Sequence, residues 1–202
     1  KPHNSLRCVK GNCFPMAGRF GVIGCGYVGS AAARHFGLMG LEVTGTTTSP
    51  SRLQELCGIV DHPRIYRAGD SRSDASFLDS LDGLLIAIAP TTMSMEEDQY
   101  RSVYGTGVSA LVESIKARQS DRPLHVSYLS SAGVYGNQFG EICDESSPID
   151  RSNSANALLG DAENAVLALN DFGTSACVLR LGGIYGPNKD IASYIRSASG
   201  QM

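Results

Sequence analysis

A glycine-rich turn near the N-terminus constrains the fold of this chain more than any other feature. Residues 19–23 have the apolar character of a strand, Gly24, Gly26 and Gly29 follow, and an alanine-rich amphipathic segment comes next. In a βαβ unit, such glycines allow a tight turn, the approach of a diphosphate and close helix packing, respectively. The turn therefore predicts a dinucleotide site, and the alternative is a tight strand-to-helix turn that binds nothing. The expected contacts are Gly24, Cys25, Gly26, Tyr27, Val28 and Gly29.

Strand and helix patterns alternate along the rest of the chain at the spacing of an α/β protein. Residues 84–89 form a continuous apolar run, as expected of a strand buried on both faces of a parallel sheet. Other strands are predicted at residues 41–46, 64–68, 125–130 and 176–181, and helices at 51–57, 97–118 and 154–170. These elements predict a doubly wound parallel sheet with a Rossmann-type fold.

Composition limits the domain organisation and the class of partner. The chain has 202 residues, 42% hydrophobic and 18% charged, and we expect one domain at residues 18–202 after an extension of residues 1–17. The formal net charge of −3 argues against nucleic acid or an anionic membrane as a partner and favours a small molecule. No apolar run approaches the roughly 20 residues that span a bilayer.

The N-terminal segment and the cysteines bear on the cellular compartment. No acidic residue precedes Glu42, which is typical either of the end of an organelle presequence or of an ordinary disordered extension. The six cysteines are scattered, without a Cys-x-x-Cys pair or histidines at zinc spacing, which predicts free thiols and no metal. We therefore expect a reducing compartment, either the cytoplasm or, if the extension is a presequence remnant, a plastid or mitochondrion.

Two motifs at later strand ends carry a family resemblance. Residues 130–136 read Ser-Ser-Ala-Gly-Val-Tyr-Gly, and residues 179–187 read Leu-Arg-Leu-Gly-Gly-Ile-Tyr-Gly-Pro. With the glycine turn and residues 144–148, they resemble the extended and atypical short-chain dehydrogenase/reductase superfamily, in its NAD-dependent epimerase/dehydratase group. The resemblance covers residues 19–187. It implies a nicotinamide dinucleotide cofactor, a nucleotide-sugar or related carbonyl substrate, and a substrate lobe that is short or missing here.

The resemblance also implies a catalytic set, of which this chain matches one member. Family enzymes use a tyrosine as general acid/base, a lysine four residues later that lowers the tyrosine pKa, and a serine that hydrogen-bonds the substrate. Ser131 matches the serine, but residues 137–172 contain no tyrosine and no lysine. If Glu163 is aligned with the acidic residue that often follows the lysine, Ala155 and Leu159 occupy the two missing positions. This departure and the Gly-x-Gly-x-x-Gly spacing are typical of the atypical branch, whose members often keep only the nucleotide site.

The end of the second strand predicts which dinucleotide is preferred. A carboxylate about 20 residues past the glycines binds the free ribose 2′-hydroxyl of NAD. This chain has no acid there, which favours the 2′-phosphate of NADP(H), with NAD as the alternative. The residues expected at this phosphate are Thr46, Thr47, Thr48, Ser49 and Arg52. The alternative for Arg52 is a solvated helix residue. By analogy with the family, Asp70 is expected near the adenine, and the ribose and nicotinamide are expected beside Ala87, Ala89, Pro90 and Ser130.

Three functional hypotheses follow. The first is an NADP-dependent enzyme in which Ser131 orients the substrate and Tyr135 or Tyr185 replaces the missing proton donor, although the family places both tyrosines in structural turns. The second is a nucleotide-binding subunit without turnover, structural or redox-sensing, in a larger assembly. The third, a UDP-sugar 6-dehydrogenase, rests on the similarity of residues 24–29 to the opening of those enzymes, but no later cysteine has their glycine-rich surround. The family also implies a homodimer through the two long helices.

Overall fold

The computed structural model describes residues 18–90 and 97–191, so the predicted extension of residues 1–17 lies outside the described residues. Within those ranges one sheet is formed by β1 (Arg19–Ile23), β2 (Glu42–Thr47), β3 (His62–Ile65), β4 (Gly83–Ile86), β5 (His125–Ser131) and β6 (Ser175–Leu181). The strand order is β3-β2-β1-β4-β5-β6, and every neighbouring pair is parallel. The doubly wound α/β fold expected from the sequence is confirmed.

The helices connect these strands. They are α1 (Tyr27–Leu38), α2 (Leu53–Leu56), α3 (Glu97–Tyr100), α4 (Val108–Lys116) and α5 (Ser154–Leu167). A π-helical segment, Arg101–Gly107, joins α3 to α4, and 3-10 turns occupy Pro50–Arg52, Ser76–Ser80, Ala132–Tyr135 and Ala168–Phe172. In the part of the chain that the structure describes, no helix has both the length and the apolar character needed to cross a membrane.

Four predicted elements differ from the observed ones. The strand expected at residues 84–89 ends at Ile86. The third strand lies at His62–Ile65 rather than at residues 64–68, and residues 51–57 contain only part of a 3-10 turn and the single-turn α2. The helix expected over residues 97–118 is interrupted by the π-helical segment. Gly105, Thr106 and Gly107 all have low α-helix propensity, which favours the wider turn at this place.

The sheet separates two apolar clusters, so side chains of each strand alternate between them. On one face, α4 and α5 pack over β4 and β5, and on the other face α1 and α2 pack over β1 and β2. In β5, Val126 and Tyr128 belong to the first cluster, whereas Leu129 packs against the second. Because all strands are parallel, their carboxyl ends meet at one edge of the sheet, where the glycine turn also lies.

Candidate functional site

In the glycine turn between β1 and α1, two of the three glycines are required for steric reasons. Gly24 has a φ of +91°, and a Cβ built on it would lie 2.8 Å from the carbonyl oxygen of Ala87. A Cβ on Gly29 would overlap the carbonyl oxygen of Gly24. Gly24 and Gly29 are therefore required by the turn itself, since any side chain would displace β4 or α1.

Gly26 is different, because a Cβ built on it would meet no atom within 4 Å. Gly26 is the N-cap of α1, where no side chain caps the helix and no acidic residue lies in the first turn. The first amides of a helix have no intrahelical acceptor, and the helix dipole favours an anion beside them. The open space at Gly26 and the uncapped N-terminus of α1 together fit a diphosphate.

Cys25 and the first two threonines of the predicted 2′-phosphate site are engaged inside the protein. The Gly24 amide donates to Oγ1 of Thr46 at 3.0 Å, and the Cys25 amide donates to the Thr46 carbonyl at 2.8 Å. Oγ1 of Thr47 accepts from the Ser49 amide at 3.2 Å. Thr46, Thr47 and the Cys25 thiol are all buried. Thr46 and Cys25 therefore hold the glycine turn against β2, Thr47 caps the following residues of its own loop, and all three side chains are buried.

Three residues of the same predicted set remain accessible. Thr48 is exposed, Ser49 is half-buried with its hydroxyl 2.8 Å from that of Ser51, and the side chain of Arg52 is 42% exposed. Burial raises the pKa of the Cys25 thiol to about 11. Two hydroxyls and the Arg52 guanidinium, which forms an ion pair with Glu55 at 3.4 Å, follow the carboxyl end of β2.

Asp70, expected near the adenine, is held by Arg72. Its carboxylate accepts from the Arg72 side chain at 3.0 and 2.9 Å and from the Arg72 amide at 3.0 Å. These hydrogen bonds lower the pKa of Asp70 to about 2. Asp70 is therefore an ionised, already paired carboxylate, and its contact with an adenine stays a prediction.

The ends of β4 and β5 adjoin the glycine turn. Ile86 pairs in register with Ile23 on one side and with Tyr128 on the other. Ala87 donates its amide to the Ile23 carbonyl at 2.8 Å, and Ala89 is exposed while Pro90 is half-buried. This is the place where the strand order reverses direction, and doubly wound proteins bind ligands in the crevice at that point.

Ser131 ends β5 at the same edge. Its side chain is exposed, and its hydroxyl accepts from the Gly133 amide at 3.1 Å, which caps the 3-10 turn Ala132–Tyr135. A serine hydroxyl can still donate its proton while it accepts one hydrogen bond. Ser131 is thus exposed at this edge, and its contact with a substrate stays a prediction.

The start of α5 contains no phenol or amine. Ala155 lines a cavity of about 260 Å³ together with Glu97, Tyr100, Asn153 and Ser154, and Leu159 is buried in the core. The two positions on which the resemblance places tyrosine and lysine are therefore apolar. The usual proton donor and its supporting ammonium are not supplied by α5.

Behind Ser131 lies a buried ion pair that the sequence analysis did not predict. Glu163 of α5 is 2% exposed and accepts from Nε and Nη2 of Arg180 at 3.2 and 2.8 Å. The Ser130 hydroxyl also donates to Glu163, so this hydroxyl, expected at the cofactor, is committed internally. The hydrogen bonds with Glu163 raise the pKa of Arg180. Only the alignment of Glu163 with a family acidic residue drew attention to this position beforehand.

The two tyrosines considered as substitute proton donors lie in different settings. Tyr135 donates its hydroxyl proton to the Asp144 carbonyl at 2.7 Å and accepts from Arg180 at 2.8 Å. Its ring also lies 4.9 Å from the Arg180 guanidinium. Tyr185 is 67% exposed. The hydrogen bonds of Tyr135 give it a structural role. For Tyr185, the role of a substitute proton donor stays a prediction.

Several known proteins are similar to this chain in sequence or in structure. No protein-family model matches the sequence. The Escherichia coli (strain K12) protein YeeZ is 28% identical over 173 residues, which cover 83% of this chain and 59% of YeeZ. A Methylobacillus flagellatus structure, provisionally classed as an NAD-dependent epimerase/dehydratase, is 25% identical with a TM-score of 0.66, covering 90% of this chain and 59% of its own.

Two more distant structures contain NAD. A short-chain dehydrogenase/reductase superfamily protein from Agrobacterium tumefaciens is 19% identical with a TM-score of 0.65, over 80% of this chain and 48% of that one. The chain has the fold of the short-chain dehydrogenase/reductase superfamily. UDP-glucuronic acid 4-epimerase from Bacillus cereus has the same fold, with 17% identity and a TM-score of 0.68 over 84% of this chain and 58% of the epimerase. The resemblance inferred from the strand-end motifs is thereby confirmed.

The present chain spans only part of the length of the proteins that it matches. It spans about three fifths of YeeZ and of the Methylobacillus protein, and about half of the Agrobacterium protein. What the remaining parts of those proteins bind is a property of those proteins, so activity and substrate are treated below as proposals.

Proposed function

We propose that the chain binds a nicotinamide dinucleotide in the turn of residues 24–29, with the diphosphate at the N-terminus of α1. The observation that carries this proposal is the open space at Gly26 beside an uncapped helix N-terminus. The site lies where β1 and β4 meet, at the reversal of the strand order. The NAD bound to two superfamily structures supports the same class of cofactor here.

The preferred dinucleotide in this proposal is NADP(H). The carboxyl end of β2 carries hydroxyl groups and Arg52 in place of a carboxylate. A guanidinium can bind a 2′-phosphate through charge-assisted hydrogen bonds, whereas a carboxylate would repel it. Because Thr46 and Thr47 are buried and accept hydrogen bonds from backbone amides, the 2′-phosphate would be bound by Arg52 with Thr48 and Ser49.

Replacing Arg52 with alanine tests this preference. A hydrogen bond to a charged group contributes about 1.5–3 kcal/mol, so we expect the affinity for NADPH to fall about tenfold to a hundredfold. The affinity for NADH, which lacks the 2′-phosphate, should change little. Both affinities can be measured by calorimetric titration. Arg34→Ala removes an exposed arginine of α1 and serves as the control. Equal loss of NADH and NADPH binding would contradict the assignment.

We further propose that the bound dinucleotide serves an epimerase- or dehydrogenase-type reaction on a nucleotide sugar or related carbonyl compound. A nicotinamide supplies hydride transfer, and the protein supplies binding and orientation. Ser131 is exposed at the end of β5 and can donate a hydrogen bond to a substrate oxygen. The nucleotide-sugar epimerase among the superfamily structures supports this substrate class.

A second candidate function is dinucleotide binding without turnover, within a larger assembly. The apolar positions Ala155 and Leu159 favour it, because a hydride transfer to or from a carbonyl needs a proton partner. In this case the protein would sense or carry the cofactor. Wild-type protein that binds NADPH but transfers no hydride to any nucleotide-sugar or carbonyl substrate would support this candidate.

Replacing Ser131 with alanine separates the two candidates. If the chain is an enzyme, we expect turnover to fall about tenfold to a hundredfold, because a hydrogen bond to developing charge is lost. The affinity for NADPH should stay within about twofold, since the serine is assigned to the substrate. Hydride transfer can be followed by nicotinamide absorbance. Turnover that is unaffected in Ser131→Ala would count against the assigned role of the serine.

A further inference from the structure

A tight turn after β6 lies against the first residue of α1, although the two are about 160 residues apart in the sequence. Gly186 and Lys189 form two mutual backbone hydrogen bonds, at 3.0 and 2.9 Å. Gly186 has a φ of +150°, and a Cβ on it would lie 2.6 Å from the hydroxyl oxygen of Tyr27. The turn at residues 186–189 is therefore packed on the Tyr27 side chain, and glycine is required at this contact.

The same turn holds a cation over the Tyr27 ring. Nζ of Lys189 lies 4.7 Å from the ring centroid, within the range of a cation–π interaction. Tyr27 directly follows Gly26, so Lys189 is held against the first residue of α1, which is next in sequence to the glycine with the open space. Lys189 is also the single lysine in residues 117–202.

A cation in this place requires an explanation. The positive end of the helix dipole disfavours a cation near an N-terminus, typically by a few tenths of a kcal/mol to about 1 kcal/mol. The first turn of α1 contains no carboxylate that would offset this repulsion. An anion bound at the same N-terminus would interact favourably with both the helix and the ammonium. A phosphate group between the helix N-terminus and the Lys189 ammonium would therefore interact favourably with both positive groups.

We propose that Lys189, positioned by the Tyr27 ring, donates a charge-assisted hydrogen bond to the diphosphate of the bound dinucleotide. This inference rests on the dinucleotide site proposed above and adds a residue from the far end of the sheet to it. Binding would move the ammonium from the ring face onto a phosphate oxygen. The long, flexible lysine side chain allows this movement with the backbone turn at residues 186–189 unchanged.

The test uses a charge-removing variant and a matched control. Lys189→Met keeps the apolar stem and removes the ammonium, and Lys189→Arg keeps the charge. Lys116→Met is the control, because Lys116 also lies over an aromatic ring, that of Phe172 at 4.6 Å, but at the end of α4. Affinities are measured by calorimetry for NADPH, for ADP-ribose, which contains the diphosphate, for 2′-AMP, which does not, and for UDP.

We expect Lys189→Met to weaken NADPH and ADP-ribose binding about tenfold or more. Binding of 2′-AMP should be unchanged, Lys189→Arg should stay within about threefold of wild type, and Lys116→Met should equal wild type. The salt dependence of ADP-ribose binding should also be weaker in Lys189→Met, because one screened charge contact is gone.

Other outcomes overturn the inference in distinguishable ways. If wild type binds NADPH and ADP-ribose but Lys189→Met binds them equally well, Lys189 has no role and the dinucleotide site stands. Equal loss for 2′-AMP would indicate a general disturbance of the site, and a loss confined to UDP would assign Lys189 to a nucleotide-sugar diphosphate instead. If wild type binds neither NADPH nor NADH, the proposed function fails and this inference fails with it.

Discussion

Replacing Glu163 with alanine is expected to lower the free energy of unfolding by about 3–5 kcal/mol, because it leaves the charge of Arg180 largely buried and unpaired. The Arg180 side chain is only 20% exposed, and Glu163 is 2% exposed. For a domain of this size the loss corresponds to a fall in Tm of about 6–20 °C. Thermal and urea unfolding of the purified variant would measure it.

The same helix offers a matched control for this prediction. Asp161 forms an ion pair with Arg151 at 2.9 Å, but both side chains are at least half exposed. Exposed pairs of this kind contribute about 0–1 kcal/mol, so Asp161→Ala should change the unfolding free energy little. In contrast, the double variant Glu163→Met with Arg180→Met removes both buried charges and should recover much of the stability lost in Glu163→Ala. Equal, small effects of Glu163→Ala and Asp161→Ala would contradict the assigned importance of the buried pair.

The buried pair also bears on the candidate site. Glu163 binds the Ser130 hydroxyl, and Arg180 binds the Tyr135 hydroxyl, so the pair fixes both sides of Ser131. Near this pair, the fully buried hydroxyl of Tyr128 has no hydrogen-bond partner among the described residues, and its burial raises the pKa of that phenol. Glu163 of α5 therefore joins β5 and β6 through Ser130 and Arg180, and the assignment of Ser131 to a substrate stays a proposal.

The sequence was sufficient to predict the parts of this fold that depend on local patterns. The glycines at 24, 26 and 29 predicted the turn, and at Gly24 and Gly29 the protein itself leaves no room for a side chain. The apolar run at residues 84–89 predicted a central strand, and β4 is indeed paired on both sides. The parallel arrangement followed from the alternation of strands and helices, since parallel neighbours need crossover connections.

The remaining features depend on contacts between distant residues, which a local pattern does not contain. The pairing of Glu163 with Arg180 required α5 to lie over β6, and the contact of Lys189 with Tyr27 required the turn after β6 to return to α1. Likewise, the Thr46 hydroxyl was assigned to a phosphate because its partner, the Gly24 amide, lies 22 residues earlier. The sequence thus placed these polar residues at strand ends, but their internal partners could be found only from the packing.

Substitutions in the glycine turn separate an effect on stability from an effect on cofactor binding. In Gly26→Ala the new methyl group meets no protein atom, and the residue has a φ of −80°, so we expect the unfolding free energy to change by no more than about 1 kcal/mol. The methyl group would, however, occupy the space through which a diphosphate approaches the backbone. A steric penalty of about 1–3 kcal/mol in a packed contact corresponds to a loss of NADPH affinity of about tenfold to a hundredfold.

Gly29→Ala is the matched comparison for Gly26→Ala. Its methyl group would overlap the Gly24 carbonyl, so α1 must move, and we expect both stability and NADPH binding to fall, the former by about 3 kcal/mol. Calorimetric titration and thermal unfolding of the two variants would distinguish the roles. If Gly26→Ala bound NADPH as well as wild type, the open space at Gly26 would not be the diphosphate site, and the turn would be a structural connection between β1 and α1. A stable Gly26→Ala variant that has lost NADPH would instead assign the space to the cofactor, because the protein itself leaves that space empty.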